Sequence, residues 1–91
     1  MVTIIFPSIL LSITHQEKSV CLLATTVQEA FTQLTSRYGE PFKRKLLDNS
    51  GQPKRFLKIY LNGKNITFID NFESQLQEKD ELTILPSVTG G

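Results

Sequence analysis

The stretch Thr26-Val27-Gln28-Glu29-Ala30-Phe31-Thr32-Gln33-Leu34-Thr35-Ser36-Arg37-Tyr38-Gly39 decides how this chain folds. The Thr26 hydroxyl can cap a first helical turn, Glu29 three residues on completes a capping box, and Gly39 supplies a left-handed terminator. Both ends are therefore marked. Between them Val27, Ala30, Phe31, Leu34 and Tyr38 recur at helical spacing and form a single apolar stripe. That stripe can cover one sheet face, and the flanking segments carry strand patterns.

On the N-terminal side, Val2, Ile4 and Phe6 alternate with Thr3 and Ile5, the period of two of a strand laid on a core, until Pro7 ends the pattern. Ser19 to Leu23 repeats the alternation with Val20 and Leu22 on one face, after a polar His15-Gln16-Glu17-Lys18 turn. An antiparallel hairpin results.

On the C-terminal side, residues 40–55 read as an inserted polar connection. It contains Pro41, the run Lys43-Arg44-Lys45 and the turn-rich Asp48 to Pro53, with Leu46 and Leu47 anchoring a short helical turn. Phe56 to Leu61 regains strand character, with Leu57, Ile59 and Leu61 on one face and Phe56, Lys58 and Tyr60 on the other. Asn62-Gly63 makes a tight turn, Ile66 and Phe68 suit a short strand, Phe72 and Leu76 a packed turn, and Glu78-Lys79-Asp80 a bend. Leu82 to Leu85 is the last strand, stopped by Pro86 for want of a ladder donor. The order strand, strand, helix, strand, short strand, strand is that of an α+β β-grasp (ubiquitin-like) mixed sheet packed on one main helix. The expected division is a domain over 1–86 and a flexible tail over 87–91.

Composition agrees with one small domain. The chain has 91 residues, 40% hydrophobic and 21% charged, which sustains one core and not two. A formal net charge of +1 gives no global field for nucleic acid or an anionic membrane. A single cysteine, Cys21, excludes an internal disulfide and a thiolate-built metal site, and none is expected. Apolar Ile4 to Ile13 is shorter than the ~18 residues of a membrane span and is interrupted by Pro7. It lacks the flanking features of a signal peptide. The expectation is a cytoplasmic protein, monomeric when free, without membrane or nucleic-acid partners.

After Pro86 come only Ser87-Val88-Thr89-Gly90-Gly91, uncharged and without periodicity. Extended at about 3.3–3.6 Å per residue, five residues reach ~17 Å, enough to enter another protein's active site. The reactive group offered is the Gly91 main-chain carboxylate. A carboxylate is a poor electrophile, but an ATP-dependent enzyme can convert it to an acyl-adenylate that accepts sulfur or an amine. Glycines at 90 and 91, lacking Cβ atoms, can thread a narrow channel, with Thr89 and Val88 following.

The sequence Leu82-Thr83-Ile84-Leu85-Pro86-Ser87-Val88-Thr89-Gly90-Gly91 resembles the ending of the MoaD/ThiS ubiquitin-like sulfur carriers of molybdopterin, thiamin and cysteine biosynthesis. Within that family, Pro7-Ser8-Ile9-Leu10, Arg55 to Asn62 and the tail look most like the cysteine-biosynthesis (CysO-like) carriers. The resemblance implies a carrier that is no enzyme itself and binds no cofactor. Gly91 would be adenylated by an activating enzyme that uses ATP, converted to a covalent thiocarboxylate, and docked on a sulfur acceptor. That acceptor would be a cysteine-synthase-like enzyme or a molybdopterin-synthase large subunit.

Sheet parity also places Ile5, Phe56, Tyr60 and Leu85 on the face away from the helix, an apolar patch fit for a partner. Lys43, Arg44, Lys45, Lys54 and Arg55 gather five of the ten basic residues in one loop, read as solvated. Cys21 and His15 lack neighbours that would activate them, so no catalytic residue is assigned. Three functions fit these residues: the sulfur carrier, a ubiquitin-like modifier joined to lysines through Gly91, and a β-grasp interaction module.

Overall fold

The computed structural model describes residues 1–54, 57–69 and 71–86. Strand β1 (Val2–Ile5) pairs antiparallel with β2 (Ser19–Leu22), and helix α1 (Val27–Tyr38) then crosses the sheet. Helix α2 (Glu40–Leu46), β3 (Leu57–Leu61), the two-residue β4 (Lys64–Asn65) and β5 (Glu81–Pro86) complete the order. The sheet runs β2-β1-β5-β3-β4, and its central pair, β1 with β5, is parallel while the others are antiparallel. This is the β-grasp arrangement expected.

Alternation along the strands decides the core. Val2 and Ile4 of β1, Leu57, Ile59 and Leu61 of β3, and Leu82 and Ile84 of β5 are buried. They meet the α1 stripe of Val27, Ala30, Phe31, Leu34 and Tyr38, also buried. At about 1.5–3 kcal/mol per fully buried large apolar side chain, this interface carries most of the stabilisation.

The helix ends follow the sequence with one adjustment. Thr26 Oγ1 accepts from Glu29 N–H at 3.1 Å, but the Glu29 carboxylate accepts from Thr25 N–H at 2.8 Å rather than from Thr26. Gly39 stops α1 at φ +83°, where a Cβ would be strained. Its carbonyl at once accepts from Phe42 N–H at 3.1 Å, so one glycine ends α1 and starts α2.

Two segments depart from the sequence reading. Residues 40–46 form a true helix, because Phe42 and Leu46, four apart, are both fully buried and Pro41 suits the first helical turn. The run Lys43-Arg44-Lys45 therefore lies in the last turn of α2 and not in a loop. Ile66–Phe68 is a 3-10 turn rather than a strand: Asn65 Oδ1 accepts from Thr67 N–H at 3.0 Å and caps it. The strand before it is only Lys64–Asn65.

The connection from β1 to β2 is clamped against the end of α1. The Tyr38 hydroxyl donates to Glu17 Oε1 at 2.6 Å, and the Arg37 guanidinium stands 3.4 Å from Glu17 Oε2. Thr14, fully buried, donates to the Glu17 carbonyl at 2.8 Å. The Tyr38 hydrogen bond, with Arg37 beside it, holds the Glu17 carboxyl below its ordinary 4.5. Burial, and then the Glu17 contact, push the Tyr38 phenol above its ordinary 10.0.

Two outcomes follow. Phe42→Ala should lower stability by about 3–5 kcal/mol if α2 belongs to the core, read as the urea midpoint, whereas a solvated loop would tolerate it. Because the folded Glu17 pKa is depressed, its contribution is whole above pH 4.5 and is lost as pH falls through the folded value. Glu17→Gln should therefore lose less stability than the wild type between about pH 7 and pH 3 in the same measurement.

Candidate functional site

The end of β5 is the feature to which the sequence assigns function. β5 runs parallel to β1, so the chain leaves the sheet after Pro86 at the same end as the β1–β2 connection. Pro86 stands opposite Leu57, the first residue of β3. Val88, Thr89, Gly90 and Gly91 lie outside the described residues, as does Phe56.

The face of the sheet away from α1 carries the other predicted positions. Ile5 and Tyr60 are half-buried, and Leu85 is 42% exposed. Register brings the first two together through a residue the sequence reading did not assign to the patch: Thr83 pairs with Ile5 on one side and with Tyr60 on the other. Leu85 pairs with Lys58 in the next row of this face. Opposed residues in neighbouring strands hold their Cβ atoms roughly 4.5–5.5 Å apart, so Ile5, Thr83, Tyr60, Leu85 and Lys58 form one surface. The alternation that buries Leu82 and Ile84 contained the signal for Thr83.

The same surface holds no reaction centre among the described residues. Cys21 is exposed, and its Sγ lies 3.7 Å from Thr3 Oγ1. His15 sits in the β1–β2 connection at φ +57°, with its ring 5.8 Å from that of Tyr38. No group of three or more His, Cys, Asp or Glu among the described residues could hold a metal ion. A surface cleft of about 480 Å³ beside β3 is lined by Lys54, Leu57, Lys58, Asn65, Thr67 and Phe72 among others. None of its described lining residues is a histidine, a cysteine or a carboxylate. No helix among the described residues is long and apolar enough to cross a membrane.

The basic residues assemble in a way the sequence did not disclose. Lys54 Nζ donates to the Arg44 carbonyl at 2.6 Å and Lys54 N–H to the Leu46 carbonyl at 2.9 Å. The Lys54 carbonyl in turn accepts from Leu57 N–H at 3.0 Å. The C-terminal end of α2 is thereby tied to the strand start that faces Pro86.

Comparison with known proteins supplies the lineage. Residues 4–91 match the ThiS family. The Mycobacterium tuberculosis sulfur carrier protein CysO is 34% identical over 92 residues, covering 99% of this chain and 98% of that one. A chain of the Amycolatopsis orientalis BexX/CysO complex superposes with a TM-score of 0.88 at 35% identity, with both chains covered in full. The crystal structure of Mycobacterium tuberculosis CysO superposes with a TM-score of 0.87 at 31% identity, covering 97% of this chain and 100% of that one. A match across nearly the whole length, in sequence and in fold, means that this chain belongs to the ThiS family.

Proposed function

We propose that this protein is a sulfur carrier whose working group is the Gly91 carboxylate, with 1–86 as the folded body and 87–91 as the tail. One observation carries the reading: the family match runs through Gly91, and the likeness to a named sulfur carrier spans the chain. The geometry is compatible, because β5 delivers the chain to one end of the sheet beside a partly apolar face.

The chemistry follows from the carboxylate. Attack of the Gly91 carboxylate on the α-phosphorus of ATP, in a partner's active site, forms an acyl-adenylate and releases pyrophosphate. A persulfide then adds to the acyl carbon and displaces AMP, and attack of a thiol on the donor's sulfur of the resulting acyl disulfide releases the thiocarboxylate and leaves a disulfide. Sulfur transfer to an acceptor enzyme and entry of water regenerate the carboxylate. The chain itself acts as co-substrate rather than catalyst. Its likeness to CysO favours cysteine biosynthesis as the destination, with molybdopterin or thiamin as other uses of the same chemistry. The BexX/CysO complex supports a partner enzyme as the docking target.

Within this reading, Ile5, Tyr60 and Leu85, with Thr83 between the first two, contact the partner while the tail threads its channel. Phe56 is assigned to the same contact on sequence parity alone. Deleting Gly91 should abolish ATP–pyrophosphate exchange by the adenylating enzyme, at unchanged stability of the carrier. Leu85→Asp should raise the carrier's KM with little change in kcat. Full exchange by the Gly91 deletion would contradict the assignment of the carboxylate.

A further inference from the structure

The basic residues of α2 and its following segment lie at the end of the fold where β5 delivers the tail. Arg44, Lys45 and Lys54 line one surface depression together with Ile13 and Pro41. Arg44 and Lys45 are exposed and Lys54 half-buried. Lys54 also borders the cleft shared with Leu57 and Lys58, and Lys58 pairs with Leu85 on β5. Lys54 thus stands between the cations of α2 and Lys58 on the outer sheet face.

Neither ion pair among the described residues involves Arg44, Lys45, Lys54 or Lys58: one joins Met1 to Glu78 and the other Arg37 to Glu17. Lys54 donates to the Arg44 carbonyl at 2.6 Å, which relieves the end of α2 and holds the ammonium at that helix end. Glu40 and Asp48 line a neighbouring depression with Lys43, Arg44 and Lys54, so cations outnumber carboxylates there, and three further acidic residues lie at the other end. Glu81 begins β5, Glu78 bonds the Met1 amino group, and Asp80, whose carbonyl accepts from Thr3 N–H, lies at the start of β1. On a near-neutral chain, Arg44, Lys45, Lys54 and Lys58 are thus a local excess of positive charge at the end where β5 stops.

We infer that Arg44, Lys45, Lys54 and Lys58 form a docking collar for a protein partner with an acidic rim around the entrance that admits the tail. This rests on the carrier reading and specifies the partner's chemistry. Exposed Leu85, beside Lys58, and exposed Ile9, in the turn after β1, supply apolar contacts at the same end. An apolar centre with a charged border is the build of a protein interface. The opposite charges of the partner's rim would steer encounter and orient the body so that the tail enters first, an effect on association that salt screens.

The test uses the full-length chain and the adenylating enzyme of the same genome in ATP–pyrophosphate exchange. Arg44→Glu/Lys45→Glu should raise the carrier's KM at least tenfold at low salt, with kcat within twofold. The wild-type KM should rise with added salt, and that of the double variant much less. Arg44→Gln/Lys45→Gln, which keeps the helix end free of new negative charge, should give an intermediate KM with an unchanged circular dichroism spectrum. Glu73→Gln/Glu81→Gln should leave KM within twofold. Wild-type KM and salt response in both basic variants, with Gly91 deletion still inactive, would overturn the collar and leave the carrier reading standing. No exchange with the wild-type chain would overturn both. Binding of a short DNA duplex that depends on Arg44 and Lys45, with KM unchanged, would overturn the collar in favour of nucleic acid.

Discussion

Everything in this fold depends on the parallel pairing of β1 with β5 at the middle of the sheet. Ile4 stands opposite Leu82, and neither exposes any surface to solvent. Parallel neighbours cannot be joined by a tight turn, so the chain must cross the sheet and return. Helix α1 is that crossing, and its stripe closes the core over the same two strands. The pairing also fixes direction: because β5 runs with β1, the chain after Pro86 emerges beside the β1–β2 connection. That end is braced by the Tyr38–Glu17 hydrogen bond and bordered by α2.

How much of this was legible in the sequence depended on whether a signal was local. The α1 caps at Thr26 and Gly39, the alternation through Val2, Ile4, Leu82 and Ile84, and the hairpin of β1 with β2 are short-range patterns, and they hold. The second helix was obscured because Pro41 and three consecutive cations look like a connection. Its two buried side chains, Phe42 and Leu46, are one helical turn apart and too few to display a period. Ile66 and Phe68 alternate as a strand would, yet the Asn65 side chain turns the backbone into a 3-10 cap. Apolar spacing could not reveal that competition.

The site was legible in kind and less so in assembly. Parity put Ile5, Tyr60 and Leu85 on one face, and the structure brings them together there. Thr83 was missed because a threonine between two core residues attracts no notice until register sets it between Ile5 and Tyr60. The link from Lys54 to Arg44 and on to Leu57 is tertiary, and spacing along the chain does not encode it. What the sequence stated outright was Gly90-Gly91, whose meaning comes from chemistry and family rather than from packing.

The carrier account stands or falls on the fate of the last carboxylate. The most direct measurement is the intact mass, with C-terminal fragmentation, of the full-length chain after incubation with its adenylating enzyme, ATP, a persulfide donor and a thiol reductant. The account predicts replacement of one oxygen by sulfur, located at Gly91 and dependent on ATP. An unchanged terminus under conditions that consume ATP, or Gly-Gly remnants on lysines of other proteins without any thiocarboxylate, would contradict it.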